Sequence, residues 1–125
     1  MVLNEVFYDC IKYNGIVSIA TASKEGIPHI ANTWNKYLIV TEDEKILIPC
    51  FGFHVTERNM KEQSHVEVTL GSENVQGKMG MGTGVRMVGT GEFLKEGKLY
   101  DMMHEKCEWA SRVLVFSPVS CQQTI

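Results

Sequence analysis

Two short stretches hold the residues of this chain best suited to binding chemistry, "NTWN" at 32–35 and "PCFGFHVTE" at 49–57. Asn32, Thr33 and Asn35 set amide and hydroxyl groups beside the indole of Trp34, inside a segment whose ends are apolar. A strand alternates its faces, so polar groups at consecutive positions place hydrogen-bonding capacity on both sides at once. Amides and hydroxyls next to an indole suit a flat ligand with a hydrogen-bonding edge. A helix opening near Thr56 adds free N–H groups for a phosphate on that ligand. A core amide network around a buried tryptophan accounts for the same pattern, because buried amides find partners. Periodicity alone leaves both readings open.

Other chemistry has less support. His29, His54, His65 and His104 show no nucleophile or metal-ligand spacing, and neither GxSxG nor HExxH occurs. His54, close to Cys50, reads most simply as a residue at a helix entrance. Cys10, Cys50, Cys107 and Cys121 are scattered without a CxxC pair, which argues against structural zinc and fits reduced thiols in a cytoplasmic protein. Glu42, Asp43 and Glu44 fall in a turn and read as solvated surface. Gly80, Gly82 and Gly84 alternate, but no glycine falls at the last position of GxGxxG and no helix follows, as a dinucleotide fingerprint requires. A bulged or tightly curved strand explains them, with Lys78 and Arg86 beside them as charges for an anionic ligand.

The elements that position these residues fit in one domain. The chain has 125 residues, 44% hydrophobic and 22% charged, with a formal net charge of −3. Lys and Arg are dispersed rather than gathered into the basic stripe of a nucleic-acid binder. The start, MVLNEVFYDC, carries Asn4, Glu5 and Asp9 where a secretory leader has a basic and then an apolar run, and no stretch approaches a membrane span.

Apolar spacing predicts a helix within 3–13 stopped by Gly15, and β-rich residues predict a strand over 16–22. "KEGIP" reads as a hairpin turn into a strand over 29–40. After the polar turn 41–45 comes "ILIPCF", where Pro49 marks an edge, bulge or strand end. Residues 56–64 read as a short helix with Thr56 as N-cap, followed by a strand in "HVEVTLGS" and a glycine-dense stretch over 74–93 that flows into another strand. A last helix is expected over 97–110, and "RVLVFSPV" closes the sheet. Five or six strands with short helices favour a small antiparallel barrel over a βαβ fold.

At "GIVSIAT" (15–21), "PHIANTWNKYL" (28–38), "ILIP" (46–49), "TLGS" (69–72), "GTG" (82–84), "EWA" (108–110) and the tail "QQTI", the chain resembles the FMN-binding split-barrel family related to pyridoxamine 5′-phosphate oxidase. Within it, the chain is most similar to the compact members from sulfate-reducing bacteria. The resemblance covers nearly the whole chain. It implies a mainly β, six-stranded antiparallel split barrel that forms a homodimer, with FMN in a groove where the subunits meet. Carried over by position, Asn32 and Thr33 bond the phosphate or ribityl chain, while Trp34, with Asn35 alongside, borders the isoalloxazine. Tyr37 lies further along the groove, and Pro49, Cys50 and Gly52 give backbone contacts to the ring edge. Thr56 binds phosphate, and Trp109 of a second chain shields the flavin. The chain departs from the family pattern at Val55, where the pattern has lysine, and at Phe51, where it favours glycine.

The reading is a flavoprotein acting as an electron carrier, with a redox partner protein, or as a small oxidoreductase. An oxidase-like enzyme on another substrate and a flavin-free, ligand-sensing dimer are the alternatives. No residue shows the spacing of a catalytic acid, base or nucleophile.

Overall fold

A computed structural model describes residues 1–125. Seven strands form one antiparallel sheet: β1 (Ile16–Ala22), β2 (Pro28–Trp34), β3 (Ile39–Val40), β4 (Ile46–Cys50), β5 (Val66–Gln76), β6 (Met81–Leu94) and β7 (Arg112–Gln123). Three helices accompany them: α1 (Glu5–Cys10), α2 (His54–Glu62) and α3 (Lys98–Lys106). None is long and apolar enough to cross a membrane.

The strand order is β2-β1-β5-β6-β7-β4-β3. The two edge strands are therefore consecutive in the chain, joined only by a 3-10 turn, Asn35–Tyr37, and Leu38. So short a link cannot span an open seven-stranded sheet, since each residue reaches at most about 3.6 Å. The sheet must curl until its edges approach, yet β2 and β3 share no ladder. The result is a split barrel, the mainly β architecture expected from the sequence.

One expected element is corrected here. Residues 29–40 form two strands, not one, which raises the strand number from six to seven. The break comes at Asn35, whose side chain turns back to accept from Gly15 N–H (3.1 Å) and to donate to the Tyr13 carbonyl (2.5 Å). Its own N–H also donates to the Gly15 carbonyl, at 2.9 Å. These bonds take the chain off the β2–β1 ladder and pass it to β4.

Strand alternation fills the barrel with Val17, Ile19, Ile46, Ile48, Leu114 and Phe116, all fully buried. α1 adds Phe7 and Cys10 to this core, and Leu3 joins them from the segment just before the helix; the first turn is capped by Asn4, whose Oδ1 accepts from Phe7 N–H at 2.9 Å. The other faces of β4 and β7 put Leu47, Val113 and Val115 under α3, against Met103, Cys107 and Ala110. Strands covered on both faces read as continuous apolar runs, which explains "ILI" and "VLVF". Pro49 lies beyond the last β3 partner of β4, Leu47, so its missing N–H falls where β4 has no second neighbour.

Candidate functional site

Where β2 faces the end of β4 across the split, a groove of ≈ 400 Å³ opens, lined by Ile16, Asn32, Thr33, Trp34, Pro49, Phe51, Gly52, Phe53 and Trp109. This volume falls within the usual range for small-molecule sites. The β-ladder pairs Trp34 with Ile16 and Asn32 with Ser18. It therefore turns Trp34 and Asn32 to the same outward face, two residues apart. Ser18 Oγ donates to Asn32 Oδ1 at 2.7 Å. That bond orients the carboxamide and leaves its N–H₂ free.

The opposite wall is the bend from β4 into α2. Phe53 precedes the helix in a left-handed conformation (φ 62, ψ 31) and offers no side-chain cap. A bulky residue at positive φ is a genuine outlier. The N–H groups of Phe51, Gly52 and Phe53 meet no backbone acceptor. The first turn of α2 adds more free N–H groups and the positive end of the helix dipole. Left-handed geometry next to a helix start makes a concave row of donors suited to an anion. A Cβ built on Gly52 meets nothing within 4 Å, so the space above the bend is open.

Thr56 is not the N-cap that the sequence suggests; α2 begins at His54, and Thr56 is its third residue. Its hydroxyl is fully buried and has no hydrogen-bond partner. An unpaired buried hydroxyl is costly, and this one lies in the same first turn as the free donors.

Two indoles flank the groove. Trp34 and Trp109 remain 49% and 47% exposed, a large apolar surface to leave in water. Trp109 sits in the turn between α3 and β7, not within the helix, and lines the groove of its own chain. Tyr37 does not line the groove. It packs edge-on against Trp109, with ring centroids 5.3 Å apart. Asn35 is buried, and its amide is spent on residues 13–15. Cys50 is buried beneath the bend, and burial pushes its thiol up to about 12, against the opposing pull of the Arg112 guanidinium. It stays a neutral thiol, and its carbonyl accepts from Ser111 N–H at 3.0 Å.

Arg112 escapes sequence inspection, because a charged residue opening an apolar strand looks like ordinary solvated punctuation. It is 4% exposed. Its guanidinium donates to the carbonyls of Phe51 (2.9 Å) and Gly52 and to Glu57 Oε1. The charges suggested by the glycine-rich segment lie elsewhere: Arg86 is held by Glu67 at 2.6 Å, and neither it nor Lys78 lines the groove. The lining has no titratable side chain. It can bind and orient a flat, partly anionic molecule but has no side chain for proton transfer.

A sequence model described as pyridoxamine 5′-phosphate oxidase matches residues 3–120. An FMN-binding protein from Nitratidesulfovibrio vulgaris (strain Miyazaki F) is 39% identical over 119 residues, covering 95% of this chain and 96% of that one. Among solved structures, HupZ of Group A Streptococcus superposes with a TM-score of 0.76 at 16% identity, over 98% of this chain and 94% of that one. An FMN-binding protein from Syntrophomonas wolfei superposes with a TM-score of 0.71 at 19% identity, over 87% of this chain and 76% of that one. These last two likenesses are of fold.

Proposed function

The chain belongs to the pyridoxamine 5′-phosphate oxidase family and binds FMN, and on that premise we propose that the groove at the barrel split is the FMN site of a small electron-carrying flavoprotein. One observation carries the reading: two half-exposed indoles meet, in one groove, a bend whose N–H donors are unpaired. The residues fit the group. The first turn of α2 and the orphaned Thr56 hydroxyl suit the phosphate, and the open space above Gly52 admits the ring edge. Trp34 and Trp109 supply aromatic surface for the isoalloxazine, and Asn32 offers an oriented amide to the ribityl chain or phosphate.

FMN, when bound, supplies the redox chemistry. The chain's own residues hold it, orient it and exclude water. A lining without titratable groups supports a carrier of electrons, paired with a redox partner protein, over an enzyme that shuttles protons. The cysteines, scattered along the sequence without a CxxC pair, fit a reducing, cytoplasmic setting.

The reading includes a homodimer. Ile16, Ile30 and Trp34 are 50%, 64% and 49% exposed on the outward face of the edge pair β1–β2. Apolar side chains on an edge strand call for cover, and a second copy of this chain provides it. The purified protein should be yellow and release FMN, identified by mass, on heating. It should sediment as a dimer. A colourless protein that takes up no FMN on titration would overturn the reading.

A further inference from the structure

We propose that Arg112, outside the groove, is the residue that aims the groove's backbone donors. A trans peptide unit points its N–H opposite to its C=O. The Arg112 guanidinium draws the carbonyls of Phe51 and Gly52 toward itself. In those same two peptide planes, the N–H groups of Gly52 and Phe53 must then point the other way, toward the groove that both residues line. Neither N–H has a backbone acceptor.

The grip also secures the strained step into α2. Arg112 donates to Glu57 in the first helical turn, and its Cζ lies over the Phe93 ring, 5.2 Å from the centroid. One buried, planar cation thus fixes two carbonyls, a carboxylate and a ring. Lysine, a point charge on a flexible stem, cannot hold such an array in one plane. Arg112 does not itself line the groove, and it reaches the site only through the carbonyls of the bend, so its role is positioning. Its charge is matched by Glu57, leaving the groove's donors as neutral dipoles.

This inference rests on the FMN reading for its affinity arm but has a second readout that needs no flavin. Arg112→Lys should weaken FMN binding about tenfold, the loss of one or two well-aimed hydrogen bonds, while the apo protein remains folded. In amide NMR spectra of the apo protein, the Gly52 and Phe53 signals should move and strand β5 should not. Glu57→Gln, which loosens the guanidinium without removing it, should move the same two signals less and weaken FMN by a smaller factor. If Arg112→Lys fails to fold, Glu57→Gln decides: affinity lost with both signals fixed, or signals moved with affinity unchanged, overturns the inference. Wild-type affinity in Arg112→Lys overturns it as well. If the wild-type chain takes no FMN, the reading of the site falls by itself, and unmoved Gly52 and Phe53 signals would separately overturn the role of Arg112.

Discussion

Two residues other than glycine adopt positive φ, Glu44 and Phe53, both at φ 62, and they mark two regions with opposite logic. At Glu44 the conformation turns a carboxylate inward, where it accepts from Val2 N–H (2.7 Å), Leu3 N–H (3.4 Å) and the Tyr8 hydroxyl (3.1 Å). The acidic turn at 42–44 is therefore not all solvated surface, as its composition suggests; Glu44 clasps the N-terminal segment that α1 fastens over the core. At Phe53 the same conformation leaves backbone donors without acceptors beside two exposed indoles. Left-handed backbone costs on the order of 1–3 kcal/mol. Near α1 the carboxylate of the left-handed residue is itself bonded three times, which offsets that cost; at the groove Arg112 holds the carbonyl side of the bend, but no group of the chain answers its N–H donors. Polar groups answered internally mark architecture, and donors left unanswered mark a site for something else.

The largest expected effect probes the architectural side. Phe7 is fully buried in the barrel core, and Phe7→Ala should cost roughly 3–5 kcal/mol of stability, read by denaturant unfolding. FMN affinity per folded molecule should hardly change. An equal loss in both would erase the distinction between the regions.

Trp109→Ala tests the other side. It should weaken FMN by roughly 1–3 kcal/mol, the scale of a lost aromatic stacking partner, with little change in the apo melting curve because the ring is half exposed. A large apo destabilisation with unchanged affinity would return Trp109 to the architectural class.

Smaller still is the gain expected from Val55→Lys. A cation about 4 Å from a phosphate gains roughly 4 kcal/mol gross at an effective dielectric of about 20, most of it offset by ordering and desolvating the side chain. FMN should bind tighter by about 1 kcal/mol, several-fold in Kd. The gain should fade with added salt, and riboflavin, lacking phosphate, should show none. Equal gains for both flavins would remove the phosphate from the start of α2.

The mildest change is Glu44→Gln, which keeps one acceptor oxygen for Val2 and Leu3 and removes the charge together with the oxygen that accepts from the Tyr8 hydroxyl. The Val2 N–H, then the Leu3 N–H and Tyr8 hydroxyl, hold the Glu44 carboxyl below its usual range. A depressed carboxylate contributes stability fully present above its unfolded pKa, about 4.3, and lost as pH falls through the lower folded value. The gap in melting temperature between wild type and variant should be constant from neutrality to about pH 5 and close below pH 4. A gap that widens on acidification would contradict the clasp.

Most of the barrel was legible because its signals are local: alternation marked β1, glycine and proline marked the turn into β2, and double burial marked β4 and β7. The break at Asn35 was not, because it depends on an amide reaching residues 13 and 15, a contact remote in sequence. Thr56 looked like a cap by residue type, yet Phe53 takes the cap position because Arg112 and Glu57 hold the bend, again at long range. "NTWN" divides: Asn32, Thr33 and Trp34 line the groove, Asn35 is structural, and Tyr37 buttresses Trp109. Pattern reading found the polar stretch but could not tell which amide faces inward once the strand ends at Trp34.

Both tryptophans of the chain, Trp34 and Trp109, line the groove, so indole emission reports on it alone. Titrating FMN into the apo protein while following that emission tests the central claim most directly. One FMN per chain should quench the fluorescence to a plateau, and Trp34→Phe and Trp109→Phe should each remove part of the quench. FMN bound at that stoichiometry with indole emission unchanged would place the cofactor elsewhere and contradict the account.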